Sequence, residues 1–522
     1  MRVGPVDDDT ELDGTSGFNG WGTFDQLLDH SDPSKGTFEQ RYWYGSKFWN
    51  GTGSPIVLTC PGEQSGDGFN VTYTTKQRIT GLMAEAMGAA VVILEHRYWG
   101  GSSPFEVLTE ENLQYLTLDN ALKDLTYFAK NFDAPFDAEG STDPKTTPWV
   151  FSGGSYSGAL AGWLESAEPG TFWAYHGSSA VEEAVSDFWT YFAPVQDATP
   201  SNCSTDVNSV IEYVDGVLLH GSQAEKAALK ARFMLEDLED ADFGAALENG
   251  PWSWQSTQFY TESLNGYNSY YQFCDYIENV FPVANGTNST TGVIVPGAKG
   301  VGYKKALNGY VKWFTELVLP GYCESWGYDD YDGTYNTNCF KAMNSTNVYY
   351  QDLSVDNLGG RQWMWMLCNE PFEWWQNGAP EGRPTLVSRL VNVDYWRAQC
   401  GFYFPEGTYG LLEGRSVQTL NSHTGGWGET DTRRLMYANG QFDPWKDATV
   451  SADFRSGGPL ESTSQLPVRV IPGGGHCSDL YGQNWAFNEE VKAIAEAEVE
   501  QMAEWVAEFY EEGVKRAVEW ES

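Results

Sequence analysis

The run Gly153-Gly154-Ser155-Tyr156-Ser157-Gly158 carries the most chemical information in this chain. It follows the apolar stretch Trp149-Val150-Phe151-Ser152 and precedes Ala159-Leu160-Ala161-Gly162-Trp163-Leu164, so it joins a short strand to a helix. Small residues around one serine permit a strained turn that holds a hydroxyl clear of a sheet edge. The N–H of the next residue, Tyr156, then faces the negative charge that develops on a substrate carbonyl oxygen. Such a turn serves nucleophilic attack, here by Ser155. Ser157 stands where the pattern Gly-X-Ser-X-Gly has its last glycine. As a rival nucleophile it ranks well below, because the place two residues before it is Ser155 rather than a glycine. A glycine-rich turn of purely structural purpose competes with both readings of the motif taken alone.

A serine hydroxyl is inert without a base and a group to orient that base. On sheets of this kind the order along the chain is serine, then acid, then histidine. His176, His220, His423 and His476 lie beyond the turn. His476 follows the apolar run Val468-Arg469-Val470-Ile471 and the turn Pro472-Gly473-Gly474-Gly475, which places it on a loop at the C-terminal end of a strand. No strand leads directly into His423. The acid is expected after a strand as well, and Asp443, in Tyr437-Ala438-Asn439-Gly440-Gln441-Phe442-Asp443-Pro444-Trp445, fits. Asp447 is the alternative, and Asp443-Pro444 is also an ordinary turn starter.

The elements that would position these residues alternate in period. Pro55 to Thr59, Ala90 to Glu95, Trp149 to Ser152, Arg434 to Ala438 and Val468 to Ile471 read as buried strands. Lys76 to Met87 and Leu118 to Phe128 read as helices between them, and the chain closes on an amphipathic helix marked by Val491, Ile494, Met502, Trp505, Val506 and Phe509. This predicts an α/β fold with a mostly parallel sheet covered on both faces. Residues 181–350 are aromatic, helical in texture and poor in strands, and hold four of the eight cysteines: an inserted helical cap. The expected organisation is therefore a sheet domain in two parts, 1–180 and 351–522, with the cap at 181–350 and a loose polar tail at 1–17.

Composition excludes several classes. With 72 acidic residues against 31 lysines and arginines, a formal charge of −41, the surface repels phosphate backbones and anionic bilayers. Nucleic acid and membrane are therefore not expected partners, and no apolar run is long enough to span a bilayer. Crowded carboxylates are expected to raise one another's pKa values and favour stability in acid. Glycosylation acceptors at Asn50, Asn70, Asn202, Asn285, Asn288 and Asn344, with eight cysteines, point to an oxidising, exported setting. Residues 1–9 lack the apolar core of a signal peptide, so either export is wrong or the chain is a mature or trimmed one, and the second is favoured.

Taken together, these segments resemble the proline-specific serine peptidases that include prolyl carboxypeptidase, dipeptidyl peptidase II and fungal prolyl endopeptidase. The resemblance runs from about Phe24 to Tyr510. It rests on Leu28-Asp29-His30, residues 36–43, Glu95-His96-Arg97-Tyr98-Trp99-Gly100, Leu116-Thr117-Leu118-Asp119, residues 153–158, Cys368-Asn369-Glu370-Pro371, residues 439–445 and Gly475-His476-Cys477-Ser478-Asp479-Leu480. Segments such as Thr171-Phe172-Trp173-Ala174-Tyr175-His176 look most like fungal prolyl endopeptidase. The resemblance implies an α/β-hydrolase fold with a helical cap. It implies Ser155 as nucleophile, Asp443 as orienting acid, His476 as base, Tyr156 in the oxyanion hole, and a Cys368–Cys400 disulfide. It also implies cleavage after proline in peptides or proteins, an acidic working range, and neither metal nor organic cofactor.

Endopeptidase action is favoured on this resemblance, with a prolyl carboxypeptidase or dipeptidyl-peptidase mode as the alternative; oligomeric state is left open. Secretion is expected, a vacuolar or lysosomal site being the alternative. Proline, an apolar ring without an N–H, is recognised by shape and stacking. Trp445, two residues past Asp443, is the first candidate wall. Glu63, Tyr98, Trp365 and Met366 are further substrate-side candidates, core packing being at least as good an account of the Trp363-Met364-Trp365-Met366 stretch. Cys60 departs from the family pattern, free or with an unidentified partner. Two other classes compete: an acidic glycosidase, for which no carboxylate pair stands out, and a non-catalytic binding protein on a hydrolase fold.

Overall fold

In the computed structural model, residues 20–137, 140, 142–261, 268–279 and 296–521 are described, with side chains as far as 513. Asn285, Asn288 and the tail at 1–17 lie outside the described residues. Four strands in the first half are short and apolar: β3 (Ile56–Thr59), β4 (Ala90–Leu94), β5 (Trp149–Gly154) and β6 (Ala174–Ser178). Every residue of β3, β4 and β6 is buried, as parallel strands covered on both faces require. Ahead of them, β1 (Gly20–Leu27) and β2 (Thr37–Gly45) form an antiparallel hairpin, and after a long excursion come β9 (Leu435–Gly440) and β10 (Val468–Ile471). The eight-stranded order is β1-β2-β4-β3-β5-β6-β9-β10, with β1–β2 and β2–β4 antiparallel and the other five pairs parallel. This mixed sheet, with a nucleophile turn at the end of β5, is the α/β-hydrolase fold.

The strands read from the sequence lie within a residue or two of their observed ends. The hairpin β1–β2 and β6 escaped that reading because their residues, Gly-Trp-Gly-Thr-Phe-Asp-Gln-Leu and Ala-Tyr-His-Gly-Ser, lack a run of branched apolar side chains. The helix expected from Lys76 begins at Ile79, and Arg78 instead forms an isolated antiparallel bridge with Tyr481.

The chain leaves the sheet after Ser178 and does not return until Leu435. Among the described residues of 201–313 lie helices such as Ser201–His220, Ser269–Ile277 and Tyr303–Trp313, and Arg361–Asn369 and Val393–Tyr403 follow. Two short parallel strands, β7 (Val185–Asp187) and β8 (Glu373–Trp375), tie the start of this excursion to a point near its end. Disulfides join Cys203 to Cys274 and Cys323 to Cys339 within it, and Cys368 to Cys400 across the last two helices named. Cys60 and Cys477 are free and buried, and burial pushes the Cys60 thiol up to about 12. Among the described residues, no helix is long and apolar enough to cross a membrane. Asn50 and Asn344 are exposed, and Asn70 and Asn202 are half-buried.

Candidate active site

Ser155 caps the helix Tyr156–Ala167 with φ 59° and ψ −127°, a left-handed backbone that a residue with a Cβ adopts only under constraint. The neighbours show why they must be small. A Cβ on Gly153 would lie 2.1 Å from the Ser157 carbonyl oxygen, and one on Gly158 2.7 Å from that of Ser178. The Ser155 N–H donates to Ser178 O at 2.9 Å, and Ser155 O accepts from Ala159 N at 3.0 Å, so both flanks of the turn are anchored. Ser157 is buried in the first helical turn and its hydroxyl has no hydrogen-bond partner, whereas Ser155 lines a cavity of about 510 Å³.

His476 lines the same cavity. Its Nδ1 lies 2.9 and 3.1 Å from the two carboxylate oxygens of Asp443, which is itself fully buried. Burial opposes charge on this imidazole, but Asp443 outweighs it and raises the His476 pKa well above the ordinary value. One Asp443 oxygen also accepts from Trp445 N at 2.9 Å. Asp447 is turned elsewhere: it accepts from Asp453 N at 3.1 Å, and burial raises its pKa to about 6. His423 is exposed and pairs with Asp119.

Segments from the helical excursion hold both loops in place. Gln258 Nε2 donates to His476 O at 2.7 Å, and Trp254 Nε1 donates to Phe442 O at 2.7 Å. Gln255, which lines the cavity, accepts from Trp445 Nε1 and from Tyr191 Oη. No motif marks these residues in the sequence, since only the fold brings 254–258 over residues 442–476.

Tyr156 is positioned through its ring. His96 Nδ1 is 2.9 Å from Arg97 O and so carries the proton, which leaves Nε2 to accept from Tyr156 Oη at 3.1 Å. Burial pushes His96 down to about 4, keeping it neutral in that role. Tyr156 also meets Trp363 at 5.3 Å and Phe372 at 5.7 Å between ring centroids, and Trp374 stacks on Phe372 at 4.8 Å. Glu373 and Trp374 have φ of 55° and 46°, a second strained stretch beside the turn. Arg397 holds Glu373 through two nitrogens at 2.9 Å.

The remaining substrate-side candidates separate. Glu63 lines the cavity beside His476, and burial raises its pKa. Trp445 is half-buried, with its ring 6.3 Å from that of His476 and 5.9 Å from Trp374. Tyr98, Trp365 and Met366 are in the core instead. The Tyr98 hydroxyl donates to Asn112 O, and Trp365 Nε1 donates to Leu116 O at 3.1 Å. On the helix Arg361–Asn369 the buried face includes Gln362, Trp365, Met366 and Asn369, which leaves Trp363 and Met364 half-buried on the other side. Helical spacing within that stretch was the available signal.

A second serine–histidine–aspartate chain lies below the turn. Ser152 Oγ is 2.9 Å from His176 Nδ1, and His176 Nε2 is 3.4 Å from Asp479 and 3.7 Å from Glu498. These distances fit a catalytic triad, yet Ser152 is 1% exposed and the other three side chains are wholly enclosed. His176, Asp479 and Glu498 also present donor atoms within 4.8 Å of one another, a separation that a metal ion could bridge. Burial disfavours an imidazolium here, but the two carboxylates raise His176 to about 9, so the cluster supplies its own cation.

Fold and turn together define a serine hydrolase, and comparison with known proteins narrows the class. Residues 26–497 match the family described as serine carboxypeptidase S28, and the chain belongs to that family of serine-type peptidases. It is 39% identical over 510 residues to the serine protease vicPa of Bipolaris victoriae (strain FI3), spanning 97% of this chain and 92% of that one. A probable extracellular serine carboxypeptidase of Arthroderma benhamiae is 29% identical over 484 residues, 90% of this chain and 64% of that one. Among solved structures, a proline iminopeptidase of Mycobacterium smegmatis covers 92% of this chain and 99% of its own at 9% identity and a TM-score of 0.34, too slight a likeness to add to the strand order. The expected likeness to fungal prolyl endopeptidase in particular is not carried by these relatives, whose names are protease and carboxypeptidase.

Proposed function

We propose that this chain is an exported serine exopeptidase that hydrolyses the bond on the C-terminal side of proline through an acyl-enzyme on Ser155, with His476 as general base and Asp443 orienting it. The observation that carries this reading is the left-handed backbone of Ser155, set in one cavity with an imidazole whose other nitrogen lies 2.9 Å from a buried carboxylate. Ser155 Oγ attacks the proline carbonyl carbon while its proton passes to His476 Nε2. The imidazolium so formed is the species that Asp443 favours. The developing oxyanion faces the Tyr156 N–H and the loop after β3, residues 60–63. His476 then gives the proton to the leaving amine, and water, deprotonated by the same nitrogen, releases the acyl group and restores Ser155.

Proline preference is supported by the half-buried rings of Trp363 and Trp445, which pack on the enclosed Tyr156 and Trp374 beside the turn. Such surfaces recognise a compact ring without hydrogen bonds. Exopeptidase action and export are supported by the family description and by the relative named an extracellular carboxypeptidase. The test is digestion of synthetic peptides with one internal proline, free or blocked at either end, with products identified by mass. Release of the residue after proline from chains with a free C-terminus is the expected result. Equal cutting of doubly blocked peptides would establish an endopeptidase, release of N-terminal dipeptides a dipeptidyl peptidase, and products without C-terminal proline would remove the specificity.

A further inference from the structure

One cation in the cavity has no part in that mechanism. Arg78 lines it together with Ser155 and His476, and among the described lining residues it is the only lysine or arginine. Its guanidinium lies over the ring of Tyr481 at 4.1 Å and over that of Tyr73 at 5.3 Å. Stacking leaves the edge of the planar group, where the N–H donors are, and one part of that edge hydrogen-bonds the Tyr73 side chain. Nε is buried and has no hydrogen-bond partner. Among the described residues no carboxylate forms an ion pair with Arg78, in a chain with 72 acidic side chains. Nearby guanidinium groups are engaged: Arg41 by Glu95 and Asp67, and Arg97 by Asp124. A buried donor left without an acceptor is unfavourable unless something outside the chain supplies one.

The position of Arg78 says which part of a substrate would do so. Tyr481, its stacking partner and backbone neighbour, lies five residues past His476 on the same segment. His476 must hand its proton to the leaving amine, so the leaving residue occupies the His476 side of the cavity. When a single residue is trimmed from a C-terminus, that leaving residue carries a free α-carboxylate. A guanidinium edge matches a carboxylate with two parallel hydrogen bonds. We propose that Arg78 anchors the free C-terminal carboxylate of the peptide being trimmed and so sets the enzyme's action as a carboxypeptidase. This rests on the serine exopeptidase reading above.

Matched peptides with proline or another residue before the scissile bond, each as free acid and as C-terminal amide, test it in the full chain. Wild type is expected to prefer the free acid in kcat/KM. Arg78→Gln is expected to lose about 10- to 100-fold on the acid, the range for a charge-assisted contact, so that the acid-over-amide ratio falls toward one. Arg78→Lys, which keeps the charge without the fork, is expected to recover part of the ratio. A fluorophosphonate that labels Ser155 reports separately on the nucleophile. The anchor is overturned if wild type is indifferent to amidation, if Arg78→Gln keeps the ratio, or if it loses acid and amide equally. Labelling of Ser155 without hydrolysis of any free acid overturns the exopeptidase reading and the anchor with it. Absence of labelling in wild type overturns the serine mechanism itself.

Discussion

Ser152 and Ser155 stand three residues apart at one strand end: Ser152 hydrogen-bonds into a buried histidine–aspartate pair, and Ser155 shares a cavity with His476, which pairs with Asp443. Ser152 lies inside the parallel ladder, in register with His176, where its backbone is regular and, although it borders the same cavity as Ser155, it is 1% exposed and bonded to His176. Ser155 lies one residue past the last ladder pair, Gly154 with Ser178, where the chain breaks into the left-handed turn. The partners differ in the same way. His476 meets one carboxylate and borders a cavity, while His176 is shut in with Asp479 and Glu498. Asp479 comes three residues after His476 and also accepts from Ser178 Oγ at 2.6 Å, and Glu498 belongs to the C-terminal helix Glu489–Glu521. The buried cluster therefore fastens the His476 loop to the sheet and to the last helix. Residue types are alike in the two clusters, and exposure together with backbone strain supports Ser155 as the nucleophile and the buried cluster as a structural clasp.

The largest difference is expected on replacing each serine by alanine. Ser155→Ala is expected to lower turnover by about 10⁴-fold or more and abolish fluorophosphonate labelling with the fold intact, as removal of a nucleophile does. Ser152→Ala is expected to leave labelling within a few-fold of wild type. Labelling that disappears with Ser152 and persists without Ser155 would reverse the assignment.

The two histidine partners come next. Asp443→Asn is expected to reduce kcat by about 10⁴-fold with little change in Tm, since the wrong imidazole tautomer is then favoured. His176→Gln is expected to act on stability, because it leaves two buried carboxylates without their cation, a loss on the order of 3–5 kcal/mol. Kinetics on the folded fraction and urea midpoints, measured on both variants, distinguish the roles. Comparable catalytic loss in each would erase the distinction.

Smaller effects are expected at the aromatic wall. Trp363→Ala and Trp445→Ala are each expected to lower cleavage after proline by about 1–3 kcal/mol in transition-state binding, with less effect on Ser155 labelling. Parallel loss of both rates in Trp445→Ala would mean that the indole positions Asp443 rather than meeting substrate.

The gentlest lever is pH. His176 is raised from 6.5 to about 9, so the stability it contributes is full below about pH 6.5 and is lost as pH rises through about 9. Burial raises Glu498 as well, and raises Glu182 to about 8, Glu278 to about 7 and Asp242 to about 6; these contributions are present below the unfolded carboxylate range and fade as pH rises through those values. Asp29, Asp240 and Asp352 are net lowered despite burial, so what they contribute is lost in strong acid. Tm is therefore expected to be higher near pH 5 than near pH 8, with a shallower slope between pH 6 and 9 in His176→Gln. An unchanged slope in that variant would remove the buried cluster from the account. The cause differs from the one read in composition: burial, rather than crowding of like charges, heads the shift in each raised carboxylate named, and His176 is raised by its two carboxylate partners against burial.

Local chemistry was legible in the sequence where neighbours along the chain impose it. The glycines around Ser155, the strand before His476 and the turn at Asp443 act over a few residues, so their types and spacing were enough to single out these three. The parallel strands β3, β4, β5 and β9 announced themselves for the same reason, as short apolar runs, whereas β6 with its Tyr-His-Gly-Ser did not. What depends on distant segments was decided only by the tertiary structure. Residues 254–258 reach the loops of Asp443 and His476 from 188 and 218 positions away in the chain. Trp363 rather than Trp365 meets Tyr156, because the rotation of one helix is set by everything it packs against. Arg78 lies on the side of His476, and Ser152 with His176 and Asp479 lies out of solvent, because the sheet encloses one set of side chains while leaving another at its rim. Residue order carries no record of burial, and burial sets both which imidazole a substrate can reach and how strongly each group holds its proton.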